Sequence, residues 1–299
     1  MELRRRLIML PPITIILLAL IVWFYPSSAD FRLDNPGWNG LEKFVAEFNA
    51  SPATHLQRSS LPPGRTALVV VPLEKFTEPE LLQLKDYVSS GGMLAVFDDY
   101  GNGNQLLDYL GLEARFTGRP LLDPLFNHKS EWLPRIMDLP AIRVARGVES
   151  VVLNHPSSLA GVSRDEVLAR SSAFSFLDLD GDGAPGETEP TGPLPVLARV
   201  MIGKGSVVLM ADPSILINGM IDIGDNRAFL RNVLDIGGAG ARVFVDESHH
   251  GKAPLDEAKK ALAVTHGALS APLGMMGLVG TVLTLSLRPI WQRKGERVG

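Results

Sequence analysis

The stretch Gly91-Gly-Met-Leu-Ala-Val-Phe97-Asp98-Asp99-Tyr-Gly-Asn102-Gly-Asn104 decides the fold. Its apolar run, Met93–Phe97, is too short for a helix and is bounded on both sides by glycines and aspartates, so it reads as a buried strand. Glu78–Ser90 before it reads as a helix, with Pro79 in the first turn and Gly91-Gly92 at the end. Gln105–Leu112 after it reads as a second helix. The alternation continues outward, with a helix over Gly40–Ala50 and a strand over Ala67–Val71 on one side. On the other side, strands are expected at Ser150–Leu153, Val167–Leu177 (bent), Leu194–Met201 and Ser206–Met210. The last two form a hairpin around Gly203-Lys204-Gly205. A helix over Asn226–Leu234 and a strand over Arg242–Val245 complete the domain. Pro120, Pro124, Pro134 and Pro140 mark residues 113–148 as an irregular insertion. This pattern predicts an α/β domain with an open, mostly parallel sheet.

The chain has 299 residues, of which 45% are hydrophobic, enough for a full core. It contains no Cys, which excludes disulfides, thiolate metal sites and cysteine nucleophiles. Residues 1–25 hold three basic and one acidic side chain, and residues 269–299 hold four and one. Removing them leaves a body of 22 basic and 31 acidic residues, which argues against a nucleic-acid partner.

The two ends read as membrane segments. Leu7–Tyr25 and Leu269–Leu287 carry no charge and are each long enough to approach the thickness of a hydrocarbon core. Arg4, Arg5 and Arg6 flank the first on its outer side; Arg288, Arg293 and Lys294 flank the second, in a basic tail over 288–299. The positive-inside rule then puts both termini in the cytoplasm and the domain of 26–252 outside it. The N-terminal segment has two readings, an anchor or a signal peptide cleaved after Ser27-Ser28-Ala29. A juxtamembrane helix is expected over Ala253–His266, within a 253–268 connection to the span of 269–287. In that span Gly274, Gly277 and Gly280 would allow close helix approach.

Each strong strand runs into polar residues. Met93–Phe97 is followed by Asp98, Asp99 and Asn102, and Ser150–Leu153 by Asn154 and His155. Ser206–Met210 leads to Asp212 and Ser214, and Arg242–Val245 to Asp246, Glu247, His249 and His250. Open α/β sheets bind ligands at the carboxyl ends of their strands, so these residues form a candidate ligand edge. They also suit caps and turns.

The segments "GGMLAVFDDYGNGN", "LNHPSS", "GKGSVVLMADPSILINGM…DNRAFLRNVL" and "VFVDESHHG" resemble membrane proteins carrying the domain of unknown function 4350. The resemblance spans most of residues 36–252. It implies a flavodoxin/amidotransferase-like sheet, similar also to the extracytoplasmic auxiliary subunits of gliding-motility-type ABC transporters. Glutaminase chemistry is excluded, because that attack needs a Cys on a strand-to-helix elbow. Ser214 lies in no Gly-x-Ser-x-Gly elbow, which leaves a serine hydrolase without its usual frame.

Asp178-Leu-Asp180-Gly-Asp182-Gly183-Ala184-Pro-Gly-Glu187-Thr-Glu189 matches the spacing of a calcium loop. Asp178, Asp180, Asp182 and Glu189 would supply carboxylates and Ala184 its carbonyl, in a structural site. Pro190 and Pro193 forbid an exiting helix, so a lone loop on a β-connection is expected over 178–189 rather than an EF-hand. Zinc is the weaker cation candidate, since adjacent His249 and His250 point apart on any regular element.

The resulting expectation is a non-catalytic, membrane-anchored extracytoplasmic binding or scaffolding module of a cell-envelope or transporter-associated complex. Its partners would be membrane lipid and envelope proteins. The alternative is a metal-dependent hydrolase acting at the strand edge through Asp98, Asp246, Glu247 and His249.

Overall fold

The computed structural model describes residues 14, 17–24, 27–53, 64–235, 240–251, 254–271, 275–277 and 279. The chain divides into an α/β unit, 26–251, and a terminal unit formed by 1–25 with 252–299.

The α/β unit is built on seven strands: β1 (Ser51–Ala53), β2 (Thr66–Val70), β3 (Met93–Phe97), β4 (Val167–Arg170), β5 (Pro195–Ile202), β6 (Gly205–Met210) and β7 (Arg242–Asp246). Their order across the sheet is β1-β7-β2-β3-β6-β5-β4. The first five in that order are mutually parallel, while β5 runs antiparallel to both β6 and β4. The four helices used here are α1 (Glu42–Phe48), α2 (Glu78–Ser89), α3 (Asn104–Leu110) and α4 (Asn226–Leu234). Phe44 of α1 and Phe229, Leu230 and Val233 of α4 pack with Val69, Phe97 and Val245 on one face. Leu84 and Val88 of α2 and Leu106 of α3 pack with Leu68, Val70 and Leu94 on the other. Covering both faces is what makes β2 and β3 wholly buried and their sequences nearly continuous apolar runs.

Local chemistry sets the helix ends. The Glu80 carboxylate accepts both the Thr77 N–H (2.8 Å) and the Thr77 hydroxyl (2.6 Å), fixing the start of α2. At its end, a Cβ on Gly92 would lie 2.4–2.6 Å from the Tyr87 ring, so only glycine lets that ring close over the turn. Asn226 opens α4 and is fully buried. Its Oδ1 accepts the Val152 N–H (2.9 Å), and its Nδ2 donates to the carbonyls of Val152 (2.8 Å) and Met220 (3.0 Å).

The expected order of strands and helices is present, with three corrections. Ser150–Leu153 contributes only Val151–Val152, in a small antiparallel ladder with Arg135–Ile136 outside the main sheet. Val167–Leu177 is not one bent strand: β4 ends at Arg170, and Phe176–Leu177 pairs instead with Leu121–Leu122. The serines between them divert the chain, because Ser171 Oγ accepts the Leu194 N–H and the Ser172 hydroxyl donates to Asp123. β1, three residues long and centred on Pro52, carries too little pattern to read and occupies the sheet edge, where proline is tolerated. Residues 113–148 are irregular as expected, with two-residue strands and a helical turn at Ile142–Ala145.

In the terminal unit, residues 17–24 are helical and α5 (Pro254–Ser270) extends past the expected His266. The rings of Trp23 and His266 lie 5.9 Å apart. Among the described residues no helix is long and apolar enough to cross a membrane. The expected spans Leu7–Tyr25 and Leu269–Leu287 lie largely outside the described residues, as do Gly274, Gly280 and the tail over 288–299.

Candidate functional site

The carboxyl edge of the parallel strands gathers three carboxyls. Asp98, at the exit of β3, is buried and accepts the N–H groups of Tyr100 (2.9 Å), Gly101 (3.1 Å) and Gly103 (2.6 Å), which turns the chain into α3. Asp212, at the exit of β6, is fully buried and accepts N–H groups from Asn154 (2.8 Å) and Ser214 (2.8 Å). Burial pushes its carboxyl up to about 8, with the charge of Asp99 adding to the effect. Asp99 is pushed up to about 7, first by burial and then by Asp98. Its Oδ1 is buried and has no hydrogen-bond partner.

Asp99 faces a cavity of about 180 Å³. Leu73, Tyr100, Pro213, Ser214 and Ile217 form the rest of its inner wall. The outer wall is Asp30, Phe31, Trp38 and Asn39, from a strap that crosses the edge before α1. Asn218 fastens the strap: its Nδ2 donates to the carbonyls of Asn35 (3.1 Å) and Gly37 (2.7 Å), and its Oδ1 accepts the Lys43 N–H (2.8 Å). Glu247 holds it from the exit of β7 by accepting the Leu33 N–H (3.2 Å). The chain therefore comes in and leaves over one edge of the sheet.

A second cluster lies at the exit of β7. Asp246 Oδ2 is 2.5 Å from His249 Nδ1, and His249 Nε2 is 3.4 Å from the Glu80 carboxylate. Burial alone would push Asp246 up and His249 down; their mutual hydrogen bond and charges reverse both shifts, so Asp246 titrates below its ordinary range and His249 above. His250 is 3% exposed with neither ring nitrogen bonded, and burial pushes it down to about 4.

Not every expected edge residue lines the cavity. Asn102 is exposed on the outside of the β3–α3 turn. His155, with φ 53°, is exposed and stacked on Trp132 at 4.8 Å. Asn154 contributes its backbone N–H to Asp212. Asp98 and Asp246 are engaged by their own turn and by His249. None of Asp98, Asp246, Glu247 and His249, the hydrolase grouping, lines the cavity beneath the strap. Sequence reasoning missed Phe31, Trp38, Tyr100 and Glu80. Two aromatic residues within the turn-rich Asp30–Gly40 were the available signal for the first two.

The acidic loop leaves the Phe176–Leu177 ladder without a following helix, as its prolines require. Oxygens of Asp178, Asp180 and Asp182 lie within 4.8 Å of one another, the one Asp/Glu/His group of that kind among the described residues. Glu189 is 8% exposed and closes the loop, accepting the N–H groups of Leu179 (2.6 Å) and Gly186 (2.9 Å). Ala184 donates its N–H to Asp182 (2.8 Å). Three converging carboxylates, all hard oxygen donors, fit a calcium-class cation, and both oxygens of Glu189 accept loop N–H groups.

A comparison with curated proteins finds no match. Among solved structures, the "mmIFT52 N-terminal domain" is 17% identical, aligned over 72% of this chain and 96% of that one, with a TM-score of 0.55. A β-galactosidase from Bacillus circulans sp. alkalophilus (13% identity, 59% and 23% coverage, TM-score 0.36) and cytoplasmic protein STM1381 from Salmonella typhimurium LT2 (13%, 64% and 78%, 0.36) are more distant. The chain spans about a quarter of the galactosidase. At these identities the first likeness shows a shared fold alone. The family model described as domain of unknown function (DUF4350) matches residues 34–234, and the chain belongs to that family.

Proposed function

We propose that the protein is a membrane-anchored, extracytoplasmic binding or scaffolding module of a cell-envelope or transporter-associated complex, without catalytic activity of its own. The observation that carries the reading is the strapped carboxyl edge. The place where such a sheet would hold a substrate is roofed by the protein's own residues 30–39, and Asp98, Asp212 and Asp246 spend their oxygens on internal hydrogen bonds. Ser214 lines the cavity with no histidine on its walls to act as a base. Apolar terminal segments with basic outer flanks would supply the anchors.

The absence of native Cys makes the topology directly testable. In intact cells, a membrane-impermeant maleimide is expected to label Ser163→Cys, an exposed position, and to reach Glu296→Cys only after permeabilisation. The opposite pattern, or protection of both, overturns the arrangement.

We also propose that the loop of 178–189 binds calcium as a structural staple. Calorimetry on the full chain in detergent is expected to give one site with a dissociation constant on the order of 10⁻⁴ to 10⁻³ M. At ten times that constant the ion should stabilise the fold by about 1.4 kcal/mol, an effect lost in Asp182→Ala. No heat and no change in melting temperature up to roughly 10 mM calcium, above the weakest extracellular sites, would leave a solvated acidic turn.

A further inference from the structure

We propose that the cavity beneath the strap binds one organic cation, an ammonium or guanidinium group, with the Asp99 carboxylate as counter-charge and Trp38 and Tyr100 as aromatic walls. The proposal rests on reading the domain as a binding module and names the chemistry of what it binds.

Four observations converge on it. Asp99 lines the cavity, and its carboxylate is under-satisfied, with no hydrogen-bond partner on Oδ1. The neighbouring acid on the wall, Asp30, is already engaged by Asn39, so Asp99 is the acceptor left over. No Lys, Arg or His lines the cavity, and its two acids give it a negative field. Trp38 and Tyr100, 72% and 74% exposed, stand at its mouth with Phe31 packed behind. An aromatic ring face attracts a cation, most strongly when a carboxylate shares the site.

A metal ion fits poorly. Asp99 belongs to no group of carboxylates or histidines with converging ligand atoms among the described residues, and a hard divalent ion needs six or so oxygens. A neutral ligand would leave the carboxylate without a counter-charge. Asp98 and Asp212 couple to Asp99, Asp30 and Tyr100 share the cavity wall, and His250, whose ring lies 6.4 Å from that of Phe31, is pushed down to about 4 by burial, so none of these groups brings a positive charge near pH 7. Because burial and Asp98 push Asp99 up to about 7, an arriving cation should displace its residual proton.

The test is calorimetric titration of the full chain in detergent micelles with tetramethylammonium and with methylguanidinium, against sodium chloride at equal ionic strength. At least one organic cation should bind saturably, releasing protons near pH 7 as read from buffers of different ionisation enthalpy, while sodium should not. Asp99→Asn should weaken binding about tenfold or more, as expected for loss of a charge-assisted partner. Trp38→Leu should weaken it about threefold to tenfold. Neither change threatens folding: the first removes a crowded charge and the second alters an exposed ring. Absence of saturable binding by both probes, or binding unchanged in Asp99→Asn, overturns the proposal. Failure here with the expected Ser163→Cys labelling retires the cation pocket and leaves the anchored module standing.

Discussion

Replacing Asn226 by alanine is expected to lower the unfolding free energy by about 3–5 kcal/mol, a large part of the 5–15 kcal/mol that holds a typical domain together. The side chain sits where no water reaches and acts as a substitute strand edge, pairing both backbone groups of Val152 and capturing the Met220 carbonyl. Truncation strands the N–H and the carbonyl of Val152 in the core, each at about 1–3 kcal/mol, and takes one of two donors from the Met220 carbonyl, which keeps the Ile223 N–H (2.9 Å). Asn226→Asp is the sharper variant. It keeps the shape but turns a carboxylate oxygen toward two carbonyls, and should destabilise at least as much at pH 7. Urea unfolding of both variants is the measurement; a loss below about 1 kcal/mol would mean that these three bonds contribute little.

Stability is expected to fall by about 2–3 kcal/mol between pH 6.5 and 8, the reverse of ordinary acid lability. The sign follows from Asp99 and Asp212, raised to about 7 and about 8 by burial. In the unfolded chain both have lost their protons well below pH 6, whereas the folded state still holds them. Deprotonation in the folded state therefore draws down stability as pH climbs through those values. His249, raised by Asp246 and Glu80 against its burial, acts in the same direction as it titrates. His250, depressed to about 4 by burial, opposes them only between about pH 4 and its ordinary value near 6.5, so the window above 6.5 is free of it. The two aspartates titrate as a coupled pair. Asp99→Asn should flatten the profile by removing one member and its repulsion on the other. Melting temperatures across pH 6.5–8.5 decide the matter, and a flat or rising curve would refute it.

These effects arise from residues whose role could not be read in one dimension. β2, β3, β5 and β6 were legible because burial on both faces, or a tight hairpin, writes itself into a local apolar run. Asp98 and Asp212 were legible as strand-end residues, but whether a carboxylate serves a ligand or its own turn depends on where N–H groups point, and here they point inward. Asn226 read only as the start of a helix, because its partners Val152 and Met220 come from a separate ladder and a loop. Glu80 read as a first-turn residue of α2, which it is, and its reach to His249 needs β7 alongside. The three aspartates of the acidic loop were legible from spacing alone; that Glu189 turns both oxygens to the loop backbone was not.

The place of β7 has a consequence for how the chain is made. β2 pairs on one side with β3, its near neighbour in sequence, but on the other with β7, so Val69 waits for Val245. Until residues 242–246 have emerged, β2 presents a bare, largely apolar strand edge, and β1 lacks its one sheet neighbour among the described residues. Such an edge is a template for pairing with another chain, and closing so long a loop is slow. A nascent or prematurely terminated polypeptide ending before Arg242 would therefore be a sticky species, prone to aggregation and proteolysis. The strand of this sheet that comes latest in the sequence is the one that seals it.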